Sequence, residues 1–146
     1  MSRSNPPSHM RQARPVLRVV LVDDDANVVR GFRRAIQTAR PDWQITTYTE
    51  PARALVHLEH QPVDVLVSDY EMPLMSGVDL LRRTRRMHPT VLRVILSGKA
   101  QEGVGSVPRG LVHAWLSKSG GALALIALLE TELDEQVKLK LSSDAS

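Results

Sequence analysis

Short apolar runs alternate with amphipathic stretches along most of the chain. Five of the runs have the length and the β-branched or aromatic content of β-strands. They cover residues 16–22, 43–49, 63–67, 91–96 and 114–117. The third run leads through Ser68 and Asp69 to Met72-Pro73, where a proline prevents the strand from continuing. The pattern therefore predicts five strands separated by other structure.

The stretches that follow these runs carry apolar residues three and four positions apart, which predicts amphipathic helices. One stretch, 99–110, holds three glycines and a proline and predicts a short or distorted helix. The last helix is predicted over residues 122–139. The residues predicted to face the core are Val28, Val29, Phe32, Ala35, Ile36 and Ala39 in the first helix, Ala52, Leu55, Val56 and Leu58 in the second, Val78, Leu81, Thr84 and Met87 in the third, and Leu123, Ile126, Ala127, Leu129 and Leu133 in the last.

Strands that alternate with helices predict an α/β fold, in which helices cover both faces of a parallel sheet. A length of 146 residues suits one domain. We assign it to residues 16–141, with a disordered tail over 1–15 and a polar tail over 142–146. No apolar run is long enough to span a bilayer. The absence of cysteine fits a reducing compartment, so we expect a cytoplasmic location.

The formal charge of +3 comes mainly from arginine. The densest group is Arg82, Arg83, Arg85 and Arg86, in the third predicted helix. Such a cluster can contact nucleic acid, but no aromatic residue is interleaved with it and no helix-turn-helix pattern accompanies it. We interpret the cluster as a solvated helix face and expect no direct binding to nucleic acid or to a membrane.

Four of the predicted strands lead into residues that carry chemistry. Asp23 and Asp24 follow the first strand, Asp69 the third, Ser97 the fourth and Lys118 the fifth. The carboxyl ends of parallel strands share one edge, where open α/β sheets hold their ligands. Carboxylates suit Mg²⁺, an aspartate can act as a nucleophile, and lysine can neutralise a phosphoryl oxygen. The pattern therefore predicts a phosphoryl-transfer site at this edge.

At these residues the sequence resembles the receiver domain of response regulators in bacterial two-component systems. Four segments carry the resemblance in order: VLVDDD at 20–25, VDVLVSDYEMPLMSG at 63–77, RVILSG at 93–98 and HAWLSKS at 113–119. It extends over roughly residues 17–133. It implies a flavodoxin-like (βα)5 fold with strand order 2-1-3-4-5.

The resemblance also implies a role for each residue at the predicted site. It implies that Asp69 is the phosphoacceptor, and that Ser97 and Lys118 contact the phosphoryl group. The implied Mg²⁺ ligands are Asp23, Asp24, Asp69 and the backbone carbonyl of Glu71. Ser97 and Trp115 are implied to act as the conformational switch. Ser119 departs from the pattern, because a proline usually follows the lysine and forms a cis peptide there.

A domain of this family is a signalling switch rather than an enzyme, although it assists its own phosphorylation and dephosphorylation. The resemblance implies a sensor histidine kinase or a phosphotransfer protein as the phosphodonor. A downstream effector, or an output domain outside this chain, would respond to the changed interaction face. A homodimer through the family's usual signalling surface is left open, and so are the cognate kinase and the target.

Three other interpretations compete with this one. The most serious is a degenerate receiver that acts as an interaction module without phosphate. An EF-hand loop starting at Asp23 is excluded, because Val28 and Arg34 stand where glycine and glutamate are needed. A phosphatase with an aspartate nucleophile would leave residues 69–73 unexplained.

Overall fold

The computed structural model describes residues 16–98, 105 and 107–144, with side-chain detail as far as residue 135. Five parallel strands in this part of the chain form one sheet in the order β2-β1-β3-β4-β5. This order confirms the flavodoxin-like sheet. The strands are β1 (Arg18–Val22), β2 (Gln44–Tyr48), β3 (Val65–Asp69), β4 (Leu92–Ser97) and β5 (Ala114–Ser117).

Four α-helices connect or follow these strands within the described residues. They are α1 (Ala26–Ala39), α2 (Pro51–His60), α3 (Gly77–Met87) and α4 (Gly121–Asp144), and a 3₁₀ turn (Lys118–Gly120) precedes α4. The helices begin at residues that suit helix starts. Asp25 caps α1 by accepting from the Asn27 N–H, Ser76 caps α3 by accepting from the Asp79 N–H, and proline opens α2.

The core consists of two apolar layers, one on each face of the sheet. On the first face, Leu21 and Val67 pack with residues of α1 and α4, including Ile36 and Leu129. On the second face, the neighbouring strand positions pack with residues of α2 and α3. Alternation along each strand sends successive side chains to opposite layers. The sheet is therefore covered on both faces and presents its functional groups at its ends.

Some helix faces differ from the prediction. In α4, Leu123 is 77% exposed and Ala127 is also exposed, whereas Leu125 is fully buried. In α2, Val56 is 56% exposed and Ala52 is exposed, and Ala54 is buried instead. The first turns of α4 are apolar all round, so spacing alone does not define which side meets the sheet.

Several boundaries also differ from the predicted ones. β3 extends to Asp69, two residues past the predicted end of the strand, and α4 continues to Asp144 rather than ending at 139. Residues 142–144, predicted as part of a polar tail, thus continue the helix. The predicted disordered tail and most of the 99–110 stretch lie outside the described residues. No helix in the described part is long and apolar enough to cross a membrane.

Candidate functional site

Four strands bring the predicted site residues to one edge of the sheet. The strand register pairs Val22 with Ser68, Asp69 with Leu96, and Ser97 with Ser117. Asp23 directly follows β1, Asp69 and Ser97 end β3 and β4, and Lys118 directly follows β5. The predicted convergence at the carboxyl edge is confirmed.

Lys118 lies between two of the carboxylates. Its Nζ is 2.9 Å from Oδ2 of Asp23 and 3.0 Å from Oδ1 of Asp69. Burial lowers the pKa of Lys118, but its hydrogen bonds to the two aspartates outweigh this effect, and the pKa is raised overall. The side chain is therefore a fixed cation at the centre of the site.

Asp23 is completely buried and has contacts at both carboxylate oxygens. Oδ1 accepts a hydrogen bond from the backbone N–H of Asp25 at 2.9 Å, and Oδ2 meets Lys118. The backbone N–H of Asp23 donates to the carbonyl of Tyr48 at 3.1 Å, which ties the residue to β2. Asp24, by contrast, is exposed. The acidic pair thus contains one anchored carboxylate and one that faces solvent.

Asp69 is buried, with 7% of its surface exposed. Burial raises its pKa, Lys118 opposes that change, and the negative charge of Asp23 adds to it. Oxygen atoms of Asp23, Asp24 and Asp69 all lie within 4.8 Å of one another. Three clustered carboxylates with one open to solvent suit a hard divalent cation that keeps part of its water shell. The side chain of Glu71 is exposed, and the role predicted for this residue involves only its backbone carbonyl.

The two predicted switch residues lie on neighbouring strands. Ser97 is 3% exposed at the end of β4. Trp115 is half-buried in β5, and its ring centroid is 5.7 Å from that of Tyr70. Tyr70 directly follows Asp69, and its N–H donates to the carbonyl of Leu96 at 3.0 Å. An aromatic contact therefore links the residue after the central aspartate to β5. The hydrophobic pattern indicated no role for Tyr70, although its place directly after Asp69 was a signal.

Gly77 is a second residue whose role sequence analysis missed. A Cβ added there would lie 2.1 Å from the carbonyl oxygen of Asp69 and 3.1 Å from Cδ1 of Ile95. Its N–H donates to the carbonyl of Tyr70 at 2.9 Å. The start of α3 therefore approaches the backbone of Asp69 so closely that only glycine fits. The sequence signalled no more than a turn at this position.

The turn after Lys118 carries Ser119 in place of the proline that the resemblance to receiver domains implies. The Lys118–Ser119 peptide bond is trans. The Ser119 N–H donates to the Ser117 hydroxyl at 3.2 Å, and the two hydroxyls lie 2.7 Å apart. A pair of serines thus shapes the turn that would otherwise carry a proline.

Comparisons with known proteins agree with this geometry. A family model described as "Response regulator receiver domain" matches residues 19–126. The protein-glutamate methylesterase/protein-glutamine glutaminase of Bordetella pertussis is 33% identical over 128 residues, which cover 86% of this chain and 31% of that protein. The chain spans less than a third of the length of the curated relatives it matches.

Solved structures give the same result for the fold. A CheY-like receiver domain protein from Methanospirillum hungatei JF-1 superimposes with a TM-score of 0.76 at 19% identity, over 85% of this chain and 98% of that one. An uncharacterized protein from Neptuniibacter caesariensis gives a TM-score of 0.72 at 30% identity, and the match covers 81% of this chain and 87% of that one.

A parallel five-stranded sheet with an acidic pocket at its carboxyl edge is the architecture of a flavodoxin-like switch domain. Together with the match over residues 19–126, it shows that the chain belongs to the response regulator receiver domain family of two-component systems. In general terms its role is phosphorylation-dependent signalling. The family typically binds Mg²⁺ at an acidic pocket, and the three clustered aspartates form such a pocket here.

Proposed function

We propose that this chain accepts a phosphoryl group on Asp69 from a phosphohistidine of a sensor histidine kinase or a phosphotransfer protein. The observation that carries the proposal is the position of the Asp69 carboxylate. It is buried at the end of β3, 3.0 Å from the Lys118 ammonium and grouped with two further aspartates. A carboxylate held beside a fixed cation is suited to attack phosphorus, because phosphoryl transfer depends mainly on positioning and charge stabilisation.

In the proposed reaction, a carboxylate oxygen of Asp69 forms a bond to phosphorus. The bond between phosphorus and the imidazole nitrogen of the donor breaks, and the imidazole leaves with the bonding electron pair. Lys118 already lies within hydrogen-bonding distance of Asp69, so it can neutralise charge on the transferred group without moving far. Ser97, at the end of the adjacent strand, supplies a hydroxyl at the same edge.

Asp24 and Asp69, with Asp23 and the backbone carbonyl of Glu71, would hold Mg²⁺. The oxygen donors of the three aspartates fit this ion, because Mg²⁺ prefers carboxylates and keeps several waters. Bound Mg²⁺ supplies positive charge that neutralises phosphoryl oxygens. Asp23 would mainly hold Lys118 and the Asp25 backbone in position, since its two carboxylate oxygens already contact the Lys118 ammonium and the Asp25 N–H.

The proposed output is a change of interaction face. Ser97 and Trp115 would shift after phosphorylation and bias two conformations of the surface around β5. Turnover of an external substrate is not part of the proposal, because the acceptor is the domain itself. The responding partner would be an effector protein or an output domain outside this chain, in the cytoplasm.

The test is intact-mass spectrometry after incubation with a small-molecule phosphodonor and Mg²⁺. We expect one phosphoryl adduct on the wild-type chain and none on Asp69→Asn. The matched control is Asp64→Asn, which changes an aspartate near the other end of β3 that pairs with Arg18. This control should accept phosphate like the wild type.

The remaining outcomes separate the alternatives. No adduct on the wild type, together with no Mg²⁺ binding, would refute the proposal and favour a degenerate receiver. An adduct on Asp69→Asn would show that another residue is the acceptor. No adduct despite Mg²⁺ binding would call for the phosphoryl mimic beryllofluoride, and failure to bind it would also refute the proposal.

A further inference from the structure

Arg93 is a charged residue inside β4, with only 3% of its surface exposed. Its guanidinium donates to four backbone carbonyls. Nε reaches Leu111 at 2.7 Å, one terminal nitrogen reaches Pro89 at 3.1 Å and Val91 at 3.0 Å, and the other reaches Gly110 at 3.1 Å. No carboxylate among the described residues forms an ion pair with it. The side chain thus joins the turn before β4 to the segment that leads into β5.

The backbone of Arg93 contacts the same segment. Its N–H donates to Nδ1 of His113 at 2.9 Å, and its carbonyl accepts from the His113 N–H at 2.8 Å. The second bond extends the β4–β5 ladder by one residue beyond the first register pair, Val94 with Ala114, and the first bond adds a side-chain contact at the same place. Burial lowers the pKa of Arg93, and the charge of Arg85 adds to this effect. A buried cation, whose hydrogen bonds to described residues all go to carbonyls, therefore marks the point where the chain rejoins the sheet.

The position of β5 determines where Lys118 lies. β5 has four residues, lies at the edge of the sheet and, among the described strands, pairs only with β4. Lys118 is the next residue, and its two ion-pair contacts are 2.9 and 3.0 Å long. A slip of one residue in register would move the strand by about 3.3 Å and turn each side chain to the opposite face. The site therefore depends on whatever fixes the register of this short strand.

We propose that Arg93 is a positioning residue of the acceptor site. By holding the segment that enters β5, it fixes the register of that strand and keeps Lys118 between the two carboxylates at the opposite end. The effect on phosphorylation rests on the proposed function. The placement of Lys118 does not, and it can be measured in the absence of any phosphodonor.

The first test is acylation of lysine amines followed by peptide mass spectrometry. Lys99, Lys138 and Lys140 serve as internal standards for Lys118. In Arg93→Met the ion pairs of Lys118 should loosen, and its labelling should rise severalfold relative to the standards. Arg93→Lys should give a smaller rise, because an ammonium keeps the charge but lacks the planar fork of donors.

The matched control is Arg18→Met. This substitution removes an arginine that also lies in a strand, β1. The Nε of Arg18 is 3.1 Å from Oδ2 of Asp64, and its described side-chain hydrogen bonds go to Asp64 rather than to the segment that enters β5. Urea unfolding gives the stability of each variant, so that general destabilisation can be separated from displacement. Arg18→Met should leave the labelling of Lys118 at the wild-type level. Phosphorylation of Arg93→Met by a small-molecule donor should be about 10- to 100-fold slower, as expected for a misplaced catalytic group.

The inference is overturned if folded Arg93→Met labels like the wild type, or if Arg18→Met raises the labelling of Lys118 equally. If Arg93→Met does not fold, the labelling of Lys118 in Arg93→Lys is compared with the wild type and Arg18→Met instead, and wild-type labelling there overturns the inference. Raised labelling in a chain whose wild type never accepts phosphate would support the positioning role and refute the proposed function.

Discussion

Gly77→Ala is the substitution that should perturb the acceptor site most selectively through sterics. The added methyl carbon would lie 2.1 Å from the carbonyl oxygen of Asp69 and 3.0 Å from its carbonyl carbon. Both are backbone atoms at the end of a central strand, so no side-chain rotation can relieve the contact. Gly77 does not have a positive φ, and the test therefore isolates the clash from backbone strain.

The size of the effect follows from the distances. Restoring an ordinary non-bonded contact from 2.1 Å requires more than about 1 Å of movement between α3 and β3. Overpacking of this kind costs about 1–3 kcal/mol of stability. A displacement of about 1 Å at a reacting group can slow the reaction by about 100-fold. We expect both losses, with the larger one in the rate of phosphorylation.

The assay combines urea unfolding with the initial rate of phosphorylation by a small-molecule donor. The control is Gly31→Ala, at an exposed position in the middle of α1, where the added carbon would meet no atom within 4 Å apart from those of the adjacent residues and the local helix backbone. This control should gain about 0.5–1 kcal/mol of stability, because alanine is the better helix former. Its phosphorylation rate should not change. Wild-type stability and rate in Gly77→Ala would refute the steric reasoning.

Three further substitutions test other parts of the account. Lys118→Ala should accept phosphate on Asp69 about 10- to 100-fold more slowly. It should also lose the change in Trp115 fluorescence that we expect beryllofluoride to cause in a Trp43→Phe background, and an intact fluorescence change would show that Lys118 is not part of the switch. Tyr70→Leu should reduce the same signal, whereas a full signal would show that the aromatic contact is not part of the switch. Burial lowers the pKa of His57, so the unfolded chain binds a proton first as the pH falls below about 6.5, and stability declines. His57→Gln should therefore show a flatter fall in the urea midpoint between about pH 7 and pH 5 than the wild type, and equal slopes would contradict this assignment.

The strands were predictable because buried parallel strands read as compact apolar runs. The fifth strand was predicted at its observed bounds, Ala114–Ser117. The helix faces were less predictable where a helix is apolar all round. In the ALALIALL stretch of α4, the position of the sheet selects Leu125 for burial and leaves Leu123 exposed. Spacing within the helix contains no information about that position.

The acidic and basic residues of the site were predictable for a different reason. They follow separate strands, and a parallel sheet brings the ends of its strands together. Gly77 and Arg93 were not identified, because their roles depend on contacts between distant parts of the chain. A glycine after a turn and an arginine within an apolar run have many ordinary explanations. Only the approach of α3 to Asp69, and the four carbonyls around Arg93, distinguish these two residues.

The most direct test of the central claim is to locate the phosphoryl group on the chain. Borohydride reduction converts an aspartyl phosphate to homoserine, which peptide mass spectrometry can assign to a position. After treatment with a phosphodonor and Mg²⁺, we expect homoserine at position 69 and at no other aspartate. Homoserine at Asp23 or Asp24, or a stable phosphoryl group on another residue type, would contradict it.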